Sequence, residues 1–155
     1  MFGFGKKKQF TIAAPVEGKI IDITDVADDV FSTKMMGDGF AVEPAGDTVK
    51  APCDGMVKLL AHTLHAVAIE REGVELLIHI GLDTVELEGK GFKALTKQGA
   101  MVKAGDPLVQ FDRKTIEAAG KSLTTMLVIT NADKSVKSLA KHFDDPAAVL
   151  TIEYK

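Results

Sequence analysis

The sequence has little of what marks a disulfide-stapled, membrane-spanning or nucleic-acid-binding protein. It contains one cysteine, Cys53, which excludes an internal disulfide framework and agrees with a reducing compartment. Its net charge is −3 with both signs interspersed, so no basic stripe indicates binding to nucleic acid. No apolar run is long enough to cross a bilayer, and no secretory signal is present. We therefore expect a cytoplasmic protein in which Cys53 is a small buried residue beside a turn.

The composition is that of a single globular domain. The chain has 155 residues, 46% hydrophobic and 26% charged, which is enough for a proper core. Short strand-like segments punctuated by Gly and Pro predict an all-β fold, an antiparallel β-sandwich or barrel-sandwich with one or two short helices. The predicted strands are Phe10–Ala13, Gly18–Ile23, Phe40–Pro44, Val49–Ala51, Met56–Leu60, His65–Glu70, Val74–Ile80, Met101–Val102, Pro107–Asp112, Thr125–Thr130 and Val149–Glu153. Helices are predicted over Lys114–Ala119 and Ser135–His142, and a flexible tail over residues 1–9 precedes a domain over residues 10–155.

Two histidines are the first candidates for a reactive site. His79 ends the alternating segment Val74–Ile80, next to the turn residue Gly81, so a strand holds it where a partner can reach it. His65 begins the preceding strand, and a hairpin centred on Glu72 would set the two histidines opposite each other. Opposed residues have Cβ atoms about 4.5–5.5 Å apart. Two imidazoles at that distance can share a small anion, a metal ion or a proton.

An apolar stretch lies upstream of the histidines. The loop-like segment 25–40 carries more apolar side chains than loops normally do: Val30, Phe31, Met35, Met36 and Phe40. Adjacent methionines suit a surface that accepts several shapes. These residues either pack inward or ring a shallow site where a protein partner docks.

Phosphoryl transfer is one chemistry that the histidines can support. A neutral imidazole is a good nucleophile at pH 7, because its ordinary pKa is near 6.5. The reacting nitrogen must carry no proton, so an acceptor such as the carbonyl of Gly81 must hold the proton on the other nitrogen. His65, oriented by the hydroxyl of Thr63, is then the nearest hydrogen-bond donor for the phosphoryl oxygens. Asp83 is too anionic to cradle phosphate and could instead order the loop or repel a badly oriented phosphoryl group.

Zinc chemistry is the alternative. His62, His65, His79 and Asp83 offer suitable nitrogen and oxygen ligands. His62 and His65 lie three apart on what is predicted as a strand entrance, so they should point to opposite faces. Two histidines and one carboxylate are too few ligands for a closed zinc site, and a zinc hydrolase would also need a general base.

Several blocks of the sequence resemble one known family. These are Ile12–Gly18, Asp22–Val26, Val30–Gly39, Val49–Pro52, Thr63-Leu64-His65-Ala66 and LLIHIGLDTVELEGKGF around His79. Together they closely resemble the glucose-type enzyme IIA components of the bacterial sugar phosphotransferase system, from about Thr11 to Lys155. The block from His79 to Val85 is the most specific part of the resemblance.

The resemblance implies an antiparallel β-sandwich in which His79 is phosphorylated on Nε2 and His65 helps to pass the group on. The implied donor is phospho-HPr, and the implied acceptor is the cysteine of a sugar-specific IIB domain. Asp28 and Asp83 match acidic rim positions, and Val30, Phe31, Met35 and Met36 match the partner-facing patch. No cofactor is required; zinc would be secondary, bound by His65 and His79 with a carboxylate from a partner. Membrane contact is expected only through the permease.

Two other functions remain open from the sequence. One is a regulatory module that binds transporters or metabolic enzymes when it is unphosphorylated, which the apolar patch suggests. The other is the zinc-dependent hydrolase.

Overall fold

The computed structural model describes residues 8–155. The predicted flexible tail over residues 1–9 lies outside the described residues except at its end, where Gln9 is already the first residue of a strand. The strands in chain order are β1 Gln9–Ile12, β2 Gly18–Asp22, β3 Asp38–Pro44, β4 Thr48–Lys50, β5 Gly55–Leu60, β6 Ala66–Arg71, β7 Val74–Ile80, β8 Phe92–Ala94, β9 Met101–Val102, β10 Pro107–Phe111, β11 Thr125–Ile129, β12 Val136–Lys141 and β13 Leu150–Tyr154.

The helical segments are short, and most are preceded by an aspartate at the N-cap position. They are α1 Asp29–Ser32, α2 Arg113–Ala118, α3 Ala132–Ser135, and two 3-10 helices over Ile23–Asp25 and Thr84–Leu87. Asp112 caps α2 by accepting a hydrogen bond from the backbone N–H of Lys114. Asp28 caps α1 in the same way, through the backbone N–H of Val30.

The strands form three antiparallel sheets that enclose one main core. The largest sheet has the order β2-β3-β11-β7-β6-β5-β9, and the two smaller sheets have the orders β4-β10-β8 and β1-β13-β12. Every second residue of β7 faces the core, and Val74, Leu76, Ile78 and Ile80 are all fully buried. Each such side chain contributes about 1.5–3 kcal/mol to folding. The predicted all-β antiparallel sandwich is therefore confirmed.

The hairpin between β6 and β7 fixes the position of His79. Its two turn residues, Glu72 and Gly73, have φ of 51° and 80°, the positive values of a type I′ turn. This two-residue turn pairs Ala66 with His79 and Arg71 with Val74. The hairpin was predicted to be centred on Glu72, with the three-residue turn Arg71-Glu72-Gly73. The observed turn has only two residues, so the centre of the hairpin lies between Glu72 and Gly73 and the prediction is wrong by half a residue.

The helix predicted over Ser135–His142 is also wrong, since Val136–Lys141 is the edge strand β12. A bulge between Val136 and Ser138 shifts the pairing with β13. Val136 and Leu139, three residues apart, therefore both pack against the core. An extra residue in a strand thus reproduces the spacing that is typical of a helix.

A second, smaller core covers part of the outer face of the large sheet. Ile23, Val26 and Phe31, from the first 3-10 helix to α1, pack on outward-facing residues of β3 and β11: Ala41, Met126 and Val128. This arrangement holds α1 beside the outer end of β7, where His79 lies.

Candidate functional site

His79 lies on the outer face of β7, one residue before the strand ends. Its Nδ1 lies 2.8 Å from the carbonyl oxygen of Gly81. A carbonyl oxygen can only accept a hydrogen bond, so Nδ1 carries the proton in the neutral ring. Nε2 is then unprotonated and has a free lone pair. The acceptor expected from the sequence is present in the structure, and Gly81 adopts φ of 80° to present it.

His65 approaches His79 from the residue just before β6. The two ring centroids are 5.0 Å apart, with the planes at 81°. Leu64 has φ of 61°, a left-handed conformation that turns the chain immediately before His65. The backbone N–H of Ile80 donates to the carbonyl of His65 over 2.7 Å. The side chains therefore meet, although His79 pairs formally with Ala66.

Thr63 contacts the second histidine. Its Oγ1 lies 2.6 Å from Nδ1 of His65. Because a hydroxyl can both donate and accept, this contact is compatible with either tautomer of His65. His62, by contrast, is exposed in the turn before β6 and takes no part in the pair.

A cavity of about 200 Å³ opens beside His79. It brings together most of the predicted rim and two residues that the sequence reasoning missed, Leu82 and Val85. The other lining residues are Asp28, Val30, Phe31, Met36 and Asp83. The Phe31 ring packs 5.1 Å from the His79 ring, centroid to centroid. Val30 and Val85 are exposed, so they are available to a partner.

Two of the predicted rim residues lie elsewhere. Met35 is 75% exposed and lines a neighbouring groove toward Lys134, which Met36 also borders. Phe40 is fully buried in the main core and cannot line a docking surface. The prediction for Phe40 was wrong because it is the third residue of β3, where its side chain points inward, and not part of the preceding loop.

The electrostatics of the site favour neutral rings. Burial lowers the pKa of His79, opposed by the hydrogen bond to Gly81 and by the negative charges of Asp28 and Asp83. Burial also lowers the pKa of His65, and the positive charge that His79 would carry lowers it further. Both imidazoles are therefore neutral at pH 7, the form in which Nε2 of His79 is nucleophilic.

The described residues offer little for a resident metal. In residues 8–155, no group of three or more His, Cys, Asp and Glu side chains is arranged to hold an ion. His65 and His79 supply two nitrogens, whereas structural and catalytic zinc sites take three or four protein ligands.

An imidazole with a free Nε2 lone pair beside a second imidazole, rimmed by apolar side chains on a β-sandwich, fits the class of histidine phosphocarriers. Comparison with known proteins agrees. The family model described as "phosphoenolpyruvate-dependent sugar phosphotransferase system, EIIA 1" matches residues 10–135, and the chain belongs to this family.

Individual relatives share most of the chain. It is 50% identical over 135 residues to the PTS system glucose-specific EIIA component of Oceanobacillus iheyensis, covering 85% of this chain and 82% of that one. The solved glucose permease IIA from Mycoplasma capricolum superposes with a TM-score of 0.83 at 36% identity, covering 97% and 99% of the two chains. The glucose-specific EIICBA component of Staphylococcus carnosus is 44% identical over 132 residues, which are 84% of this chain and 20% of that longer protein.

The chain is therefore a phosphoryl carrier of the sugar phosphotransferase system, a transferase component that acts in sugar uptake. Membership of this family does not favour a regulatory binding module or a zinc hydrolase as the primary function of the chain. Within residues 8–155, no helix has the length and apolar character needed to cross a membrane.

Proposed function

We propose that Nε2 of His79 accepts a phosphoryl group from phospho-HPr and passes it to the cysteine of a sugar-specific IIB domain. The observation that carries this proposal is the 2.8 Å contact between His79 Nδ1 and the Gly81 carbonyl. It keeps the proton on Nδ1 and leaves Nε2 as the nucleophile. As the Nε2–P bond forms, the donor's P–N bond breaks and its electron pair returns to the donor nitrogen. The Nδ1 proton stays in its bond to Gly81, so no base has to remove it.

His65 has the supporting role in this proposal. Its ring stands nearly perpendicular to that of His79, with centroids 5.0 Å apart, and can donate a hydrogen bond to a phosphoryl oxygen. Thr63 holds the far side of the His65 ring. The resemblance to the family implies that this donor matters most when the group leaves for the IIB cysteine, where it would stabilise the charge on the phosphoryl oxygens.

The partners dock on the surface around the cavity. Val30 and Met36 supply exposed apolar area at the cavity, Met35 adds more in the neighbouring groove that Met36 also borders, and Asp28 and Asp83 supply negative charge at the rim. The fused EIICBA relative supports a IIB domain as the acceptor and contact with the membrane through the permease alone. The relatives named above are glucose-specific, which supports glucose as the sugar. The step needs no cofactor and belongs in the cytoplasm; zinc shared by His65, His79 and a partner carboxylate would be secondary.

The test is phosphorylation with phosphoenolpyruvate, enzyme I and HPr, followed by mapping of the labelled residue. The wild type should gain one acid-labile, alkali-stable phosphoryl group on His79, and His79→Gln should gain none. His65→Gln should accept the group but release it slowly to IIB. The matched control is His62→Gln, because His62 is exposed and lies outside the pair. Label on His79→Gln would refute the assignment, and normal transfer from His65→Gln would remove His65 from the mechanism.

A further inference from the structure

Thr84 is a fully buried polar residue just behind the candidate site. It begins the 3-10 helix that follows β7 and does not line the cavity beside His79. Its Oγ1 donates a hydrogen bond of 2.5 Å to the carbonyl of Ile80. Burying a hydroxyl is costly unless it is hydrogen-bonded, so this contact fixes the Thr84 side chain.

The carbonyl that Thr84 holds belongs to a residue that ties the two histidines together. Ile80 also donates its backbone N–H to the carbonyl of His65 over 2.7 Å. The next residue, Gly81, presents the carbonyl that receives Nδ1–H of His79. Two consecutive residues therefore hold the backbone of one histidine and the ring of the other.

Thr84 also packs against the second of these residues. A Cβ placed on Gly81 would lie 2.5 Å from Cγ2 of Thr84, so the methyl group sits directly against the glycine. On its other side, Gly81 donates its N–H to the carbonyl of Thr124 over 3.0 Å. The Ile80–Gly81 turn is thus held by the Thr84 hydroxyl, the Thr84 methyl and the carbonyl of Thr124, the residue before β11.

We propose that Thr84 is a positioning residue for phosphoryl transfer, whose hydroxyl orients the Ile80–Gly81 turn so that the Gly81 carbonyl stays aimed at Nδ1 of His79. Without the hydroxyl, the Ile80 carbonyl loses its buried partner and the turn can rotate. The Gly81 carbonyl then holds Nδ1–H less well, and His79 populates the tautomer that is protonated on Nε2. That tautomer has no lone pair on the reacting nitrogen. The consequence for transfer rests on the proposed role of His79, whereas the consequence for the tautomer does not.

The experiment compares Thr84→Val, which keeps the shape and removes the hydroxyl, with Thr84→Ser, which keeps the hydroxyl. The control is Ser135→Ala, because Ser135 is also buried and its Oγ donates to a backbone carbonyl, that of Asn131, at 2.9 Å, at the other end of β7 from His79. The first readout is the ¹⁵N chemical shifts of the His79 ring in the unphosphorylated protein, which report the tautomer. The second is the rate of phosphorylation by phospho-HPr. If Thr84→Val does not fold, Thr84→Ala replaces it in the comparison with Thr84→Ser.

In Thr84→Val, the two ¹⁵N resonances of His79 should move toward each other and phosphorylation should slow about tenfold or more. Thr84→Ser should restore both, and Ser135→Ala should change neither. The proposal is overturned if Thr84→Val keeps the wild-type ¹⁵N shifts, or if Thr84→Ser is as impaired as Thr84→Val. The two proposals can fail separately. If Thr84→Val changes the tautomer but the wild-type protein is phosphorylated on a residue other than His79, the proposed function is refuted and Thr84 remains the residue that positions the His79 ring.

Discussion

Two glycines with the same φ provide a sharp test of how tightly the turn at His79 is packed. Gly73, in the β6–β7 turn, and Gly81 both have φ of 80°. A Cβ on Gly73 would meet nothing within 4 Å. A Cβ on Gly81 would lie 2.5 Å from Thr84 Cγ2 and 2.6 Å from the carbonyl oxygen of Ser122. Replacing each glycine by alanine therefore places a Cβ at the same positive φ but with a very different steric clash.

The magnitudes follow from these contacts. A left-handed conformation costs an L-residue about 1–2 kcal/mol, and the lower entropy of the unfolded alanine chain returns about 0.4–1 kcal/mol. Gly73→Ala should thus lose about 1 kcal/mol of unfolding free energy. Gly81→Ala adds an overpacking cost of about 1–3 kcal/mol. It also adds about 1 kcal/mol for each hydrogen bond that the displaced turn gives up. We expect a total loss of about 3–5 kcal/mol for Gly81→Ala.

The measurement is equilibrium unfolding in urea, with midpoints compared at a common m-value, together with phosphorylation by phospho-HPr at a temperature where both variants are folded. Gly73→Ala should be labelled at the wild-type rate, since its turn lies at the far end of the hairpin. Gly81→Ala should be labelled slowly, because its carbonyl no longer faces His79. Equal losses of stability in the two variants would refute the steric argument. Full activity in Gly81→Ala would refute the role of the carbonyl.

Three further predictions concern protonation, docking and the thiol. Burial lowers the pKa of His79 and His65, so below about pH 6.5 the unfolded chain binds more protons than the folded chain. The free energy of unfolding should therefore fall as the pH is lowered from about 6.5, until the pH is below the lowered pKa values of the folded protein. Phosphorylation should likewise weaken only below pH 6.5 in a pH–rate profile, and a midpoint at or above 6.5 would contradict the shift. Met35→Ser should raise the KM for phospho-HPr about fivefold, whereas Met101→Ser, at nearly the same exposure (76% against 75%), should not; equal effects would exclude a docking role. Burial raises the pKa of the Cys53 thiol to about 11, so it should resist alkylation at pH 8 until urea unfolds the chain, and rapid labelling of the folded protein would show otherwise.

Much of the fold could be predicted because its strands have a clean period of two. In β7, four buried side chains alternate with Glu75, Leu77 and His79, so both the strand and the outward face of His79 follow from the sequence. The turn at Gly81 and the proximity of His65 also followed from spacing.

The errors have local physical causes. The bulge in β12 gave Val136 and Leu139 a helix-like spacing on a strand. At Phe40, the boundary between a loop and β3 decided whether an apolar side chain faced a partner or the core, and sequence composition does not locate such a boundary. Thr84 follows Asp83 in a polar turn that is typical of exposed residues, so nothing in the sequence indicated that it is buried behind His79.

In the proposed mechanism, the charges around His79 help to explain why the phosphoryl group is passed on and not kept. The described residues that line its cavity include two carboxylates, Asp28 and Asp83, and no lysine or arginine. A phosphoryl group adds about 1.5–2 negative charges at pH 7, so these carboxylates destabilise the phosphorylated form through like-charge repulsion. The same carboxylates would attract a partner that brings positive charge, and such a surface would neutralise the group during transfer. A cradle of basic residues would stabilise phosphohistidine but slow its departure. The site instead holds the imidazole rigidly and leaves the charge unbalanced, which is the arrangement that a carrier needs when it must give up what it accepts.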